Sequence, residues 1–542
     1  MSETPSFRIA EIDLFERPVV LRLPFRFGVV TLTECPQAFA RARIEFADGR
    51  TAWGGAAELM APKWFDKNLQ LSNEDNFDQL RRSLTTARDA YLSHSGARTA
   101  FGHFADHYAA LIAAGQAAGL NPLIACYGPA LIDRALLDAL CRAEALSFYD
   151  AIRGNVPGMD VRLCADLSGF DLAGFLHGLA PAAQIALRHT VGLVDAITAA
   201  DADVDKRLND GLPETLEDVV ASTGCRHYKL KVSGAADADI DRLTRIAEAL
   251  APVADCVVTL DGNEQFPDAP AAAEFWRRVQ ATPALQHLAR STLYIEQPLP
   301  RAIALDTDVR PLAVMRPVLI DESDGTLEAF PRALELGYTG VSSKQCKGIY
   351  RSLLNAARCQ QRNGAARQTG TARCFMSAED LTTQAGLAVQ QDLALVNLIG
   401  LGHVERNGHH YVDGFAGQGA GLAERQAFLA AQPGLYEPAD DNVRLRVRDG
   451  LLDLRSLDRP GFASGAKSCD SGVGVAGRSA GRGARNSVIP APASRIGTNT
   501  TLKLRSPEAC VPSPASTSGS TAAASTPTTP AAPRAAVTRV RS

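Results

Sequence analysis

The chain has no run of the roughly 18 consecutive apolar residues that a bilayer-spanning helix needs, so no segment is expected to cross a membrane. Its first residues, MSETPSFRIAEIDLFERPVV, scatter charge where a secretory leader would carry an apolar stretch, and a cytoplasmic location is expected. Eleven cysteines show neither CxxC nor Cys/His ligand spacing, and their number is odd. That pattern argues against a disulfide framework or a zinc site and fits reduced, buried thiols. No Gly-rich loop follows an early strand of the βα-repeating region, which removes the phosphate-binding signature of an open doubly wound sheet. A surplus of either charge is also lacking. The formal net charge is −4 over 542 residues, which points to neither nucleic acid nor an anionic membrane as the partner of the globular body.

What is present is ordinary in amount, with 46% hydrophobic and 21% charged residues, but uneven in placement. From Arg459 onward eleven Lys and Arg stand against two Asp and Glu, so that stretch carries +9 and the remainder −13. Its composition turns to Gly, Ser, Ala, Pro, Thr and Arg, as in STSGSTAAASTPTTPAAP, which buries too little apolar surface to offset the entropy of ordering. Residues 459–542 are therefore expected to form a disordered basic tail, and their abrupt onset equally fits a shifted reading frame.

Residues 1–183 read as an α+β unit. Strand-like segments (FRIAEIDLFERP, VVLRLPFRFGVVTLTEC, FARARIEFADGRTAWGG) come first, with ADGR as a turn. Helical patterns follow, including GPALIDRALLDALCRAEALSFYDAIRG, where Leu131, Ala135, Leu136, Leu140 and Ala143 recur on one face. Over residues 184–408 the pattern becomes strand–helix alternation. HYKLKV precedes ADADIDRLTRIAEALAPVA, with an apolar stripe of Ile240, Leu243, Ile246, Ala247 and Leu250. CVVTLD, LYIEQ, VLIDES, GVSSKQ, ARCFMSAED and LGHVERNG continue the series after a first strand in IALRHTV. Eight such alternations match a (β/α)8-type barrel, whose active site lies at the C-terminal ends of its strands. Residues 409–458 are expected to pack back on the barrel or on the N-terminal unit.

A charged residue closes nearly every one of these strands. Lys231, Asp261, Glu296, Asp321 and Lys344 follow one another at steps of 30, 35, 25 and 23, each suited to one helix and the next strand. Asp261, Glu296 and Asp321 on three successive strands could supply the oxygens that Mg²⁺ (or Mn²⁺) prefers. Asn263, two residues beyond Asp261, faces the same side if the strand continues, and could hold a water or a substrate oxygen. Lys229 and Lys231 share one face of their strand, where two ammonium groups near a dication depress each other's pKa and make an amine a usable base. Lys344 comes from a strand four places round the barrel and would approach from the opposite side. Together these are parts for removing a proton next to a carboxylate, whose enolate needs positive charge at its oxygens.

The array KLK, LDGN, IEQP, IDES and SSKQCKG resembles the enolase superfamily, in its mandelate racemase/muconate-lactonizing enzyme branch, over roughly residues 5–455. PFRFG, the ADG turn and ALIDRALLDALCRAEALSFYDAIRG are similar to the capping domain of that family. The resemblance implies Mg²⁺ held by Asp261, Glu296 and Asp321, Lys231 and Lys344 as opposed acid and base, and Lys229 stabilising the enolate. It also implies a small-molecule carboxylate substrate and a homo-oligomer. Three departures leave the substrate open. Lys347-Gly348-Ile349 stands where a Gly-Gly is usual. HVERNGHHY lacks the paired aspartates with which dipeptide epimerases hold an amino group. The Asp and His dyad of mandelate racemase is missing, and Lys344 occupies the sixth strand.

Several residues carry two readings. Glu322 competes with Asp321 as third ligand, with Asp321 preferred from the family pattern. Lys347 competes with Lys344 as base and is otherwise read as a surface residue. His189 and Thr190 on the first strand could touch substrate, or His189 could be a core histidine. Glu405 is a candidate hydrogen-bonding electrophile, whereas Glu379 and Asp380 have no secure counterpart. His409 and His410 read as packing or surface residues. The capping loops near residues 27–36 and 53–66, with Trp53 and Trp64, are expected to choose the substrate. The expected activity is racemization, epimerization or cycloisomerization. A dehydratase of an acid sugar or hydroxy acid is the alternative, and a non-catalytic carboxylate-binding barrel is the reading from another class.

Overall fold

The computed structural model describes residues 4–202, 205, 207–369, 373–466 and 473–474. The chain divides after Gly497 into two units, and the second, Thr498–Ser542, lies wholly outside these residues. No helix among the described residues is long and apolar enough to cross a membrane.

Three long antiparallel strands open the chain: β1 (Phe7–Phe27), β2 (Val30–Phe46) and β3 (Thr51–Leu59). The β1–β2 hairpin runs from Phe7 opposite Phe46 to Phe27 opposite Val30, with its tight end at Gly28 and Val29. Helices α1 (Asn73–Leu92), α2 (Ala100–Ala117) and α3 (Pro122–Ala143) cover this sheet. Their starts follow the rules of capping: Ser72, Thr99 and Asn121 each accept a hydrogen bond from a first-turn N–H, and Pro122 stands at the first helical position. The long helical stretch expected through residue 154 breaks instead, with Ala145 left-handed and a short helix, Phe148–Arg153, restarting at the Ser147 cap. Helix α3 presses directly on β3. A Cβ on Gly54 would stand 2.2 Å from the Ala135 carbonyl oxygen, so only glycine lets the two backbones meet.

Eight parallel strands then close into a barrel: β4 (Gln184–Val191), β5 (His227–Lys231), β6 (Val257–Asp261), β7 (Thr292–Glu296), β8 (Val318–Ile320), β9 (Gly340–Ser343), β10 (Phe375–Ala378) and β11 (His403–Arg406). Closure is made by β11 pairing with β4, Val404 opposite Leu187. Strand side chains alternate. Tyr228, Leu230, Val258, Leu260, Ile295, Leu319 and Val341 bury against one contiguous core or its neighbours, while their alternates point into the barrel. That interior is polar where a barrel of this kind usually carries branched aliphatics. Arg188 sits fully buried there between Ser377, His403 and Glu379, and Tyr294 donates to Glu379 at 3.1 Å.

After the barrel, β12 (Tyr436–Ala439) and β13 (Asn442–Leu445) form a hairpin, and β14 (Leu451–Asp453) pairs antiparallel with the start of β4. The packed chain runs past residue 459, where the tail was expected to begin. The Phe462 ring stacks on Phe148 at 4.1 Å, its N–H donates to Asp138, and Ala463 accepts from Gln432. A last strand, β15 (Val473–Gly474), pairs with β1. The remainder of the expected basic tail lies outside the described residues.

One buried acid in the helical layer yields a test. Asp133 of α3 is 2% exposed, accepts from the Tyr91 hydroxyl at 2.7 Å, and is pushed by burial from 3.8 up to about 8. A carboxyl that holds its proton more tightly folded than unfolded contributes its full stability below about pH 4 and loses it as pH rises to about 8, the window in which only the unfolded chain is ionised. Asp133→Asn, which has no proton to lose, should gain on the wild type across that window. Melting temperatures of both proteins at pH 5 and pH 8 check it.

Candidate active site

The strand-end charges meet at one end of the barrel, and Lys229 is their hub. Its Nζ donates to Glu296 at 2.9 Å, to Glu379 at 2.6 Å and to Glu405 at 2.9 Å, using all three protons. Asp261 Oδ2 lies 3.0 Å from the same nitrogen and accepts from Lys231 at 2.5 Å. Four carboxylates from four strands thus converge on one ammonium that is 1% exposed. Burial works against the charge on Lys229, but the four acids outweigh it and hold its pKa well above the usual value.

The acids fare unequally. Burial would raise Asp261, and the ammonium groups of Lys229 and Lys231 more than reverse it. Asp321 is held well below the carboxylate range against burial by Lys344 at 2.7 Å and Lys347 at 3.0 Å. Glu296 is the exception: burial, Asp261 and Glu379 push it well up, with Lys229 opposing. Its Oε2 has no hydrogen-bond partner of adequate geometry, although Lys229 Nζ lies 2.8 Å away. An under-compensated carboxylate between two ionised neighbours fits a further cation, and three oxygen-donor side chains on adjacent strands suit Mg²⁺. Among the described residues no three acidic, His or Cys side chains are drawn into a metal-holding array. Asp261 and Asp321 are turned to lysines instead.

The expected site residues divide accordingly. Lys231, Lys344 and Glu405 line one small cavity together with Phe25, Phe27, Ala61, Trp64, Asp380, Leu381, Thr382 and Asn407. With about 20 Å³ it holds roughly one water. Lys344 lies 4.1 Å from the centre of the Trp64 ring, which therefore closes the site from the N-terminal unit. Trp53 stacks under Arg41 at 4.6 Å, away from the cavity. Lys347 is not on the surface but buried, donating to Ser342 Oγ at 2.6 Å and pairing with Asp321. Thr190 donates to Glu405 at 2.6 Å and so orients that acid. His189 packs against His409 and His410 at 5.5 and 4.9 Å between ring centres, as a core histidine would.

Asn263 departs from the strand-continuation reading. Strand β6 stops at Asp261, and Asn263, Glu264 and Gln297 all take left-handed φ (41°, 66° and 32°), a strained backbone that clusters at functional sites. Asn263 Nδ2 donates to Glu322 at 3.2 Å, and Glu322 faces away from Asp321 toward Lys67. Lys67, from the N-terminal unit, pairs with Glu264 at 2.7 Å, and Arg301 brackets the same carboxylate at 2.8 Å while donating to the Trp64 carbonyl at 2.7 Å.

Sequence reasoning passed over Arg188, Lys67, Arg301 and Asn407. Arg188 had a signal, since it alternates with Thr190 on the first strand and must share that residue's inward direction. For Lys67 no local pattern exists.

Solved structures share this architecture. A muconate lactonizing enzyme from Mycobacterium smegmatis, complexed with muconolactone, superposes with a TM-score of 0.53 at 16% identity, covering 85% of this chain and 97% of its own. A mandelate racemase/muconate lactonizing protein from Herpetosiphon aurantiacus gives 0.53 at 16%, covering 85% and 99%. A dipeptide epimerase from Enterococcus faecalis, complexed with Mg and L-Leu-L-Tyr, gives 0.52 at 15%, covering 84% and 99%. The chain therefore shares the fold of these three proteins. No family model and no curated protein matches it.

Removing the hub tests this site. Lys229→Met leaves buried carboxylates without their shared cation and should destabilise the protein by about 3–5 kcal/mol at neutral pH. Because freed acids protonate, the loss should shrink as pH falls toward 5. Denaturant titrations of wild type and variant at the two pH values check both statements.

Proposed function

We propose that the protein is a Mg²⁺-dependent enzyme that takes the α-proton from a small carboxylate substrate to form an enolate, and returns a proton as a racemase or epimerase, or, as a cycloisomerase, lets the enolate expel its β-oxygen and open a lactone ring, with ring closure as the reverse. The observation that carries this reading is the pair Lys231 and Lys344. They rise from β5 and β9, on opposite sides of the closed barrel, and bound the same cavity.

Each lysine can serve one face of a substrate carbon placed between them. In the closed site each is held on a carboxylate, Lys231 on Asp261 and Lys344 on Asp321. Burial works against the charge on Lys344, and Asp321 more than restores it, so that amine enters as a proton donor. Asp261, Glu296 and Asp321 would hold Mg²⁺, which would supply the positive charge that stabilises an enolate. Lys229 stays beneath, keeping Glu296, Glu379 and Glu405 in place, and its own charge adds to the field at the enolate. Phe25, Phe27 and Trp64 keep bulk water from the carbanion.

α-Carbon deuterium uptake from D₂O, followed by mass spectrometry on separate enantiomers of candidate acids, tests the reading. Wild type with Mg²⁺ should label both enantiomers, and chelation should abolish it. Lys231→Ala and Lys344→Ala should each lose racemization, by about 10²–10⁴-fold, while each retains exchange on the enantiomer facing the remaining lysine. Exchange that ignores chelation, or survives in both variants on both enantiomers, would overturn it.

A further inference from the structure

The wall of the closed cavity is unusually specific about what hydrogen bonds remain free. Two carboxylates line it, and both are saturated. Asp380 accepts from Arg406 at 3.0 Å, from the Thr383 N–H at 3.0 Å and from the Asn407 N–H at 2.7 Å. Glu405 accepts from Thr190, Lys229, the Asp380 N–H and Asn407 Nδ2, at 2.6–3.0 Å. No acid is left to receive a substrate ammonium group.

Two buried polar atoms on the same wall are unpartnered among the described residues: Asn407 Oδ1 and Trp64 Nε1, on side chains 1% and 2% exposed. The orientation of the Asn407 amide is fixed, because its Nδ2 donates to Glu405 at 3.0 Å and a flip would set two acceptors against each other. A buried acceptor left unpaired costs free energy, and a ligand that satisfies it is favoured over one that cannot. The rest of the lining contributed by the N-terminal unit, Phe25, Phe27 and Ala61, is apolar, as is Leu381 opposite. The cavity as it stands admits roughly one water, so a substrate that enters it comes against this apolar lining.

We infer that the site takes a carboxylic acid with an aryl or alkyl substituent and one neutral hydroxyl or amide, which donates to Asn407 Oδ1 and accepts from Trp64 Nε1, and that it rejects amino acids with a free ammonium group and polyol acids. The inference rests on the proposed reading of the site as one for carboxylates. Asn407 and Trp64 are specificity residues in it, and neither moves the α-proton.

Calorimetric binding to the full-length protein with Mg²⁺ tests it without need of turnover. The probes are 3-phenyllactate, N-acetylphenylalanine, 3-phenylpropionate, phenylalanine and gluconate. Phenyllactate or N-acetylphenylalanine should bind about 10- to 100-fold tighter than phenylpropionate, with phenylalanine and gluconate weaker than both. Asn407→Ala should bring that ratio close to one. Trp64→Phe, which keeps the ring over Lys344 and removes only the N–H, should reduce it while sparing phenylpropionate, and supplies the answer if the Asn407 variant does not fold. Gluconate or phenylalanine binding tightest, a wild-type ratio near one, or no binding by any aryl acid would each overturn the substrate class. Those outcomes leave the proton-transfer reading to stand or fall on the deuterium experiment.

Discussion

A single ammonium group surrounded by four carboxylates is the constraint around which the barrel end is arranged. Lys229 can satisfy only three hydrogen bonds, and they go to Glu296, Glu379 and Glu405, while Asp261 is shared with Lys231. Charges this deep are tolerated only when paired. Two of the acids therefore recruit further partners from elsewhere: Arg188 and Tyr294 for Glu379, Thr190 and Asn407 for Glu405. The polar barrel interior follows from that demand. So does the shortage at Glu296, whose only partner among the described residues is Lys229 and which burial and its acidic neighbours push well up.

The N-terminal unit completes what the barrel begins. Trp64 lies over Lys344, Phe25 and Phe27 wall the cavity, and Lys67 and Arg301 tie the loop that carries Trp64 to Glu264 just beyond β6. A second link runs deeper. Arg134 of α3 is fully buried and reaches Glu58 of β3 at 3.1 Å and the side chain of Gln345, the residue after Lys344. Burial raises Glu58 to about 7 despite that arginine. One lysine of the opposed pair is thus supported from the helical layer, whereas Lys231 is fixed within the barrel.

Much of this was readable in the chain because an apolar strand ending in a charge has few alternatives. HYKLK must put Lys229 and Lys231 on one face and Tyr228 and Leu230 on the other, and the intervals between strands leave room for one helix each. The barrel, the antiparallel N-terminal sheet and the convergence of Lys231, Asp261, Glu296, Asp321 and Lys344 follow from such local facts. What stayed hidden depends on distant pairings. Lys347 reads as a surface residue until Asp321 and Ser342 close around it. The strand after Asp261 looks able to continue through Asn263, and only the left-handed backbone there shows that it turns. Thr190 faces Glu405 rather than the cavity because β11 and β4 are neighbours only once the barrel has closed. The turn to low-complexity composition misplaced the end of packing, since Phe462 finds Phe148 more than three hundred residues away in sequence.

The central proposal is that Asp261, Glu296 and Asp321 form one site for a divalent cation. The most direct measurement is a titration of the full-length protein with Mn²⁺, followed by electron paramagnetic resonance, in wild type and Glu296→Gln. One saturable site, displaced by Mg²⁺ and strongly weakened in the variant, is the expected result. No saturable binding, or binding that Glu296→Gln leaves unchanged, would contradict it.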